Sequence, residues 1–453
     1  MLRVLLPFIL SVLSIQVYGE GSPDKPTGLT LESAFQLAQD GAPIYLAAKY
    51  RKEAADAQRS VAKGQLLPQL SLFGDWSDNK LKYEGPQAAL YGEQNYPGER
   101  YGFQARQSLV NMAGWRELER RDALLNRSEN DFSQAKIDLL QSVAEAYVKV
   151  LVARDTVLQF ESEVEALENQ LQESEALYEL SLIPVTQLLE TQTRFESVTA
   201  DLLQSEGEAA IAKERLAEFL GLREFTLLAM GHEVVLTTQP TSMVRAVQLA
   251  IANSPAIAAA KDGVRAAKAA VEREKGSWWP EVNLVYNQQF SDVGFDNLSS
   301  PPRTSDSISI SVSYPLIQGG SGSARIRGAW ADFYGAQQEL EGVSRAVETQ
   351  ARSAWLQLES SGKRVRAANR ALESAEIGVD ATKKSVRAGT ARVTDVLLAL
   401  AQRTRAQRDH SYAQFERISA WLALELISGS EVQKTASHLS DALLSEVAVT
   451  AAS

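Results

Sequence analysis

The residues able to do chemistry are few, and their spacing does not suit it. Three histidines, His232, His410 and His438, fall on separate segments, and none shows paired metal-ligand spacing. Cysteine is absent, which removes thiolate nucleophiles, disulfides and Cys-ligated metals. Gly319-Gly320-Ser321-Gly322-Ser323 looks like a phosphate loop but lacks the Gly-Lys-Ser/Thr ending; its simpler role is to let the chain swing from a strand into a helix. The acidic run Glu161-Ser162-Glu163-Val164-Glu165 reads as the wet face of a helix. Thr394-Asp395 suits the start of a helix, where a hydroxyl or carboxylate caps free N–H groups. These residues point away from an enzyme, with no cofactor and no metal expected. A formal net charge of -11 also argues against nucleic acid, whose phosphates attract basic surfaces.

The elements that place these residues follow a duplicated plan. Leu31-Glu32-Ser33-Ala34-Phe35-Gln36-Leu37-Ala38, followed by Pro43, corresponds to Met243-Val244-Arg245-Ala246-Val247-Gln248-Leu249-Ala250, followed by Pro255. The offset is 255 − 43 = 212, and it persists where Gly64 and Pro68 match Gly276 and Pro280. Later landmarks shift to 208: Val185-Thr186-Gln187 matches Val393-Thr394-Asp395, and Gly221 matches Gly429. Agreement at so many ordered points marks two copies of one unit.

Each unit reads as helix, strand, strand, long helix, helix. Leu31 to Gln65 is an Ala-rich helical segment halted at Pro68. Leu70, Leu72, Gly74 and Trp76 then alternate with Gln69, Ser71, Phe73 and Asp75, and Tyr101, Phe103, Ala105 and Leu109 share a face of the partner strand. In the second unit Ile308, Ile310, Val312, Tyr314 and Leu316 alternate with Ser307, Ser309, Ser311 and Ser313, which is the period of a strand. Loops rich in Gly, Pro, Asn and Asp are expected at 79–100 and 291–306. Proline-free runs from Gly114 to about Leu180 and from Ser323 to about Val386 predict rods of roughly 100 Å, which must pack laterally as coiled coil. Each rod turns near 181–184 or 387–390 and returns to about Leu220 or Ile427.

At the N-terminus, Met1-Leu2-Arg3 and the uncharged run Val4 to Val17 predict a cleaved export signal, shorter than the roughly 20 residues of a membrane-spanning helix. Without a Cys after that run the mature end is expected to carry no lipid. Entry into a membrane would then require a β-barrel. Four strands of about ten residues fit a bilayer but cannot close a barrel, because single-chain barrels begin at about eight strands. The sheet must therefore close by assembly, with eight strands as a dimer or twelve as a trimer. An exported coiled-coil scaffold or adaptor without a pore is the alternative.

The plan resembles that of the TolC-type outer-membrane efflux proteins. The resemblance rests on Leu29-Thr30-Leu31-Glu32-Ser33-Ala34, Gly64-Gln65-Leu66-Leu67-Pro68, Gln107-Ser108-Leu109 entering Met112-Ala113-Gly114-Trp115-Arg116, Pro315-Leu316-Ile317-Gln318-Gly319-Gly320, and Gly389-Thr390-Ala391-Arg392-Val393-Thr394-Asp395-Val396-Leu397. It implies a mainly α fold with a membrane β-barrel: a homotrimer with a 12-stranded barrel in the outer membrane, continued by a coiled-coil α-barrel across the periplasm. The implied partners are outer-membrane lipid, a periplasmic adaptor (membrane fusion) protein, and either a proton-driven RND pump or an ATP-driven ABC exporter. The implied role is export of drugs or secreted proteins.

The resemblance divides the chain into signal peptide 1–19, first periplasmic helices 20–67, first β-hairpin 68–112, first long helices 113–222, linker and second helices 223–279, second β-hairpin 280–318, second long helices 319–429 and tail 430–453. It also places a gate at the helix turns, formed by Asp395, Arg392, Thr394, Thr186 and Gln187. Asp395 matches an acidic position lining the family's constriction, where three symmetric carboxylates would favour cations. Other family gate positions are occupied by Leu398, Val386 and Ala391, so fewer charged links are expected at this gate than in the family pattern.

Overall fold

The structure is a computed structural model that describes residues 28–444 apart from 88–89, 91, 223, 228–235, 237–239 and 295–297. The expected signal sequence and His232 lie outside the described residues. The first unit comprises α1 (Leu31–Gly41), α2 (Pro43–Gly64), β1 (Gln69–Lys82), β2 (Glu93–Val110), α3 (Met112–Glu179) and α4 (Val185–Leu220). The second comprises α5 (Met243–Asn253), α6 (Pro255–Gly276), β3 (Glu281–Val293), β4 (Ser299–Ser313), α7 (Ser321–Arg387) and α8 (Val393–Ile427), followed by α9 (Val432–Leu444). The order helix, helix, strand, strand, long helix, helix thus occurs twice.

The expected single helical segment from Leu31 to Gln65 is corrected to two helices. Ala42 sits between them in an extended conformation (φ -77°, ψ 115°), because the ring of Pro43 crowds the preceding residue out of the helical region. Pro43 then begins α2 at a position where its missing N–H costs nothing. Ser254 and Pro255 repeat the break between α5 and α6, with Ser254 also extended. Together these two helices have the length and apolar content of a crossing segment, but they bend by 42° at the break. Their Ala246, Ala250 and Ile257 are packed against α7 and α8.

The rods α3 and α7 have 68 and 67 residues. One half of α3 packs on α2 and α6, and its other half packs on α4 and α8. Around its middle lies the largest core, where Phe35 of α1, Leu140 and Tyr147 of α3, Leu216 of α4, Leu422 of α8 and Leu439 of α9 meet. The Tyr147 hydroxyl donates to the Leu29 carbonyl at 2.9 Å, and burial pushes its pKa up to about 12. Where the rods meet the sheet, Glu117 accepts from Arg120, Arg121 and Arg273 at 2.7–3.1 Å. Burial there opposes ionisation, yet the three guanidinium groups hold the Glu117 carboxyl down at about 2.

All four strands form one antiparallel sheet in the order β1-β2-β3-β4. Their lengths of 14, 18, 13 and 15 residues exceed the expected ten. Much of the sequence expected as loop is paired: Asn79 lies opposite Tyr96, Lys82 opposite Glu93, and Gln288 opposite Asp306. The prolines that argued for loops sit within strands. Pro301 and Pro302 lie in the edge strand β4, and Pro97 lies in the stretch of β2 that pairs only with β1. Leu109 does not continue the alternation of Tyr101, Phe103 and Ala105, because the register shifts between Ser108 and Val110.

Candidate functional site

The sheet has two chemically distinct faces. Leu70, Leu72 and Trp76 of β1 and Ile308, Ile310 and Val312 of β4 share one parity, and each is at least 65% exposed. The opposite parity carries Ser71, Gln104, Asn283, Asn287, Ser309 and Ser311. Its charges include Asp75 opposite Arg100 in mid-strand and Arg106, which donates to Glu281 at 3.1 Å. An exposed apolar face backed by hydroxyls and amides fits lipid on one side and water on the other. Among the described residues no strand neighbours the outer edges of β1 and β4.

The expected gate residues lie at the other end of the rods, on two equivalent turns. Ser181 and Gly389 occupy the same place in the two units (389 − 181 = 208), and both adopt the left-handed conformation, at φ 57° and 73°. Both turns close alike. The Leu182 N–H donates to the Leu177 carbonyl, and the Thr390 N–H to the Ser385 carbonyl, each at 2.9 Å. Glycine adopts this conformation freely, whereas serine does so at a cost.

Beyond the turns the two units diverge. Arg392 caps α8, and its backbone N–H donates to the Asp395 carboxylate at 2.8 Å. This is the acidic half of a capping box. The first unit has Pro184 at the position of Arg392 and Gln187 at that of Asp395. Proline has no N–H, so an acid at position 187 could not make the corresponding bond. Thr186, Arg392 and Asp395 are exposed, while Thr394 and Gln187 are half-buried. Thr186 edges a shallow groove on α4 with Leu189, Glu190 and Arg194. Thr186 and Gln187 stand on one turn, with Arg392, Thr394 and Asp395 on the other. Among the described residues no hydrogen bond or ion pair joins the two turns.

An apolar cluster backs both turns: Phe160 and Leu167 of α3, Val198 of α4, Val379 of α7, and Val396, Leu397 and Leu400 of α8. One member of the expected wet face belongs here instead. Glu163 is 1% exposed and accepts from Arg194 of α4 at 2.7 Å. The correction follows from spacing, since residues 160, 163 and 167 fall on one helical stripe with two apolar members. The surrounding charges also diverge. Glu173, Glu175, Glu179 and Glu190 surround the first turn, whereas Lys383, Lys384, Arg387 and Arg392 surround the second. Gly319 and Gly320 lead into α7 with φ of 56° and 82°, which matches their expected use as a swivel. His410 and His438 stand on α8 and α9, and no metal-holding group occurs among the described residues.

This architecture has known counterparts. The chain is 26% identical to the alkaline protease secretion protein AprF of Pseudomonas aeruginosa, over 88% of this chain and 84% of that protein. It is 22% identical to the outer membrane protein TolC of Vibrio cholerae, over 95% and 96%. Among solved structures, the CmeC outer membrane channel of Campylobacter jejuni superposes with a TM-score of 0.78 at 13% identity, covering 94% of this chain and 95% of that one. The outer-membrane channel OprN gives 0.76 at 22% identity, covering 89% and 90%. The profile described as outer membrane efflux protein matches residues 34–222 and 246–430, the two units in turn. The chain therefore belongs to the outer membrane efflux protein family.

Proposed function

We propose that three copies of this chain close into one duct, a 12-stranded barrel continued by a tube of paired helices. By family the chain is an outer-membrane exit duct of efflux or type I secretion systems; the stoichiometry, partners and gate are the proposal. The observation that carries it is the sheet, with four strands, an exposed apolar face and two unpaired edges of 14 and 15 residues. In lipid each unpaired backbone group costs several kcal/mol, so the edges must pair with other copies. A dimer would give eight strands and a trimer twelve. The family resemblance favours the trimer.

The helix turns then form the periplasmic end, where a periplasmic adaptor and an inner-membrane RND pump or ABC exporter would meet the duct. Asp395, Arg392 and Thr394 of one turn and Thr186 and Gln187 of the other form its constriction. Cargo is either secreted protein or small molecule. The protease-secretion names of two relatives favour the first, and the name of the Brucella suis outer membrane efflux protein BepC favours the second. Membrane fractionation followed by detergent extraction and native mass measurement tests the assembly. Three chains per particle is the expected result; a soluble monomer would favour a periplasmic scaffold. Substitution of Arg392 or Thr186 should raise conductance and antibiotic leakage, and unchanged values would place the gate elsewhere.

A further inference from the structure

We propose that the lipid-facing side of the sheet holds one lipid A molecule of the outer leaflet per copy, through a polar row formed by Gln288 and Asp306. The proposal rests on the reading of the sheet as part of an outer-membrane barrel. It begins with two residues that break the apolar face. In β3, Val282, Leu284, Tyr286 and Phe290 share that face, and Gln288 interrupts them. In β4, Val312, Ile310 and Ile308 share it, and Asp306 comes next. The strand pairing brings the two interruptions together. Gln288 lies directly opposite Asp306, in a row that continues to Phe103 and Leu72. Polar and charged groups turned to hydrocarbon are costly, and where they cluster they mark a function.

The row has hydrogen-bonding capacity to spare. Tyr286 donates its hydroxyl to one Asp306 oxygen at 3.2 Å. Among the described residues nothing donates to the other oxygen, and the side chains of Gln288 and Thr304 have no hydrogen-bond partner. In a closed barrel β1 of the next copy would lie beside β4. Its apolar face carries cations only toward the tip, Lys80 and Lys82, and Lys80 is already paired with Glu93 at 2.5 Å. Next to the row is a recess of about 470 Å³ lined by Leu72, Tyr101, Phe103, Gln288, Phe290 and Thr304. Its floor is aromatic: Tyr101 stacks on Phe290 with ring centroids 4.7 Å apart, and Phe103 tilts against Tyr286 at 5.7 Å. An aromatic floor beside an amide, a hydroxyl and a carboxylate fits an acyl chain that has hydrogen-bonding groups near its head.

Depth selects the lipid. Trp279 and Tyr314, each 57% exposed, flank the rod ends of β3 and β4 and mark the periplasmic boundary of the membrane. Gln288 is 288 − 279 = 9 residues above the first, and Asp306 is 314 − 306 = 8 residues above the second. At about 3.3 Å per residue and a strand tilt of about 40°, the row stands roughly 20 Å up an apolar band about 25 Å tall. It therefore faces the outer leaflet, just beneath the head groups. At that depth a phospholipid presents ester carbonyls, which accept hydrogen bonds and leave a carboxylate unsatisfied. Lipid A is an acylated, phosphorylated glucosamine whose chains carry amides and hydroxyls close to the sugar. Those N–H and O–H groups can donate to Asp306, and the amide carbonyls can accept from Gln288. The phosphates of lipid A are repelled by Asp306 and stay above it, so the row reads amides and hydroxyls rather than charge.

The test uses the full chain in mild detergent, incubated with bisphosphorylated lipid A or with phosphatidylethanolamine and weighed by native mass spectrometry. All four strands of the row belong to one chain, so each trimer should retain up to three molecules of lipid A. Phosphatidylethanolamine at the same concentration should be retained about tenfold less. Gln288→Leu with Asp306→Leu restores an unbroken apolar face. This variant should keep the trimer mass and melting temperature and lower lipid A retention about tenfold. Gln288→Leu alone, the milder change, should lose several-fold and carries the test should the double variant fail to assemble. Parent-level retention in either assembled variant, or equal retention of the two lipids by the parent, would overturn the site and leave the duct standing. A fall in trimer melting temperature for Asp306→Asn in lipid-free detergent would also overturn it, by giving the carboxylate to the seam between copies. Chains that remain monomeric would overturn the inference together with the duct.

Discussion

The backbone N–H of Arg392 donates to the carboxylate of Asp395 at 2.8 Å, and the corresponding residues of the first unit, Pro184 and Gln187, cannot make that bond. Asp395 therefore has a structural task, independent of any part it plays in the duct. The two roles separate by substitution. Asp395→Asn keeps an acceptor oxygen and removes the charge, so folding should be nearly unchanged. Asp395→Ala removes the cap and should cost about 1 kcal/mol in thermal unfolding of the detergent-solubilised chain. If the carboxylate also lines the constriction, Asp395→Asn alone should shift the reversal potential away from cations. An unchanged potential would leave the residue as a cap.

Ser181 holds the left-handed conformation that Gly389 holds in the second unit. Ser181→Gly should therefore stabilise the first turn, by about 1 kcal/mol from relief of the side-chain clash, offset in part by the freer unfolded chain. Gly389→Ala should destabilise the second turn by a similar amount. Thermal melts followed by circular dichroism check both signs.

Much of this arrangement is legible in the sequence. The offsets of 212 and 208 locate both helix turns, and the alternation of Ile308, Ile310 and Val312 with serines locates an edge strand. The strand ends are harder to read, because backbone pairing carries Asn, Asp and Pro residues that by composition belong to loops. The break at Ala42 is legible from Pro43 alone. Glu163 was hidden by its acidic neighbours, although its spacing from Phe160 and Leu167 marks it as inward. The link between Asp395 and Arg392 depends on a backbone N–H. Pro184 lacks that N–H, so Gln187 has no corresponding bond to make.

Glu117 ties α3 to α6 through Arg273, with a pKa held at about 2 against an ordinary 4.5. A depressed carboxyl stabilises the folded state above its unfolded pKa and loses that contribution as pH falls through its folded one. Stability should thus drop between about pH 4.5 and 2, by on the order of 2 kcal/mol from this group. In Glu117→Gln the loss should be present already at neutral pH, and the gap between variant and parent should narrow toward pH 2. Chemical unfolding across that range measures it.

The hydroxyl of Tyr147 donates to the Leu29 carbonyl inside the largest core and so fastens the segment before α1 to the middle of α3. Tyr147→Phe should leave the ring packed and remove that one hydrogen bond, costing about 1 kcal/mol. Amide hydrogen exchange should quicken around residues 29–35, with exchange in the sheet unchanged.

The central claim is that the open sheet closes through other copies of the chain to make a water-filled duct. Its most direct test is single-channel recording from the purified full-length chain in a planar bilayer, alongside a native mass of the same preparation. Discrete conductance steps from particles of three chains are the predicted result. Particles of three chains without conductance, or a membrane-inactive monomer, would contradict it.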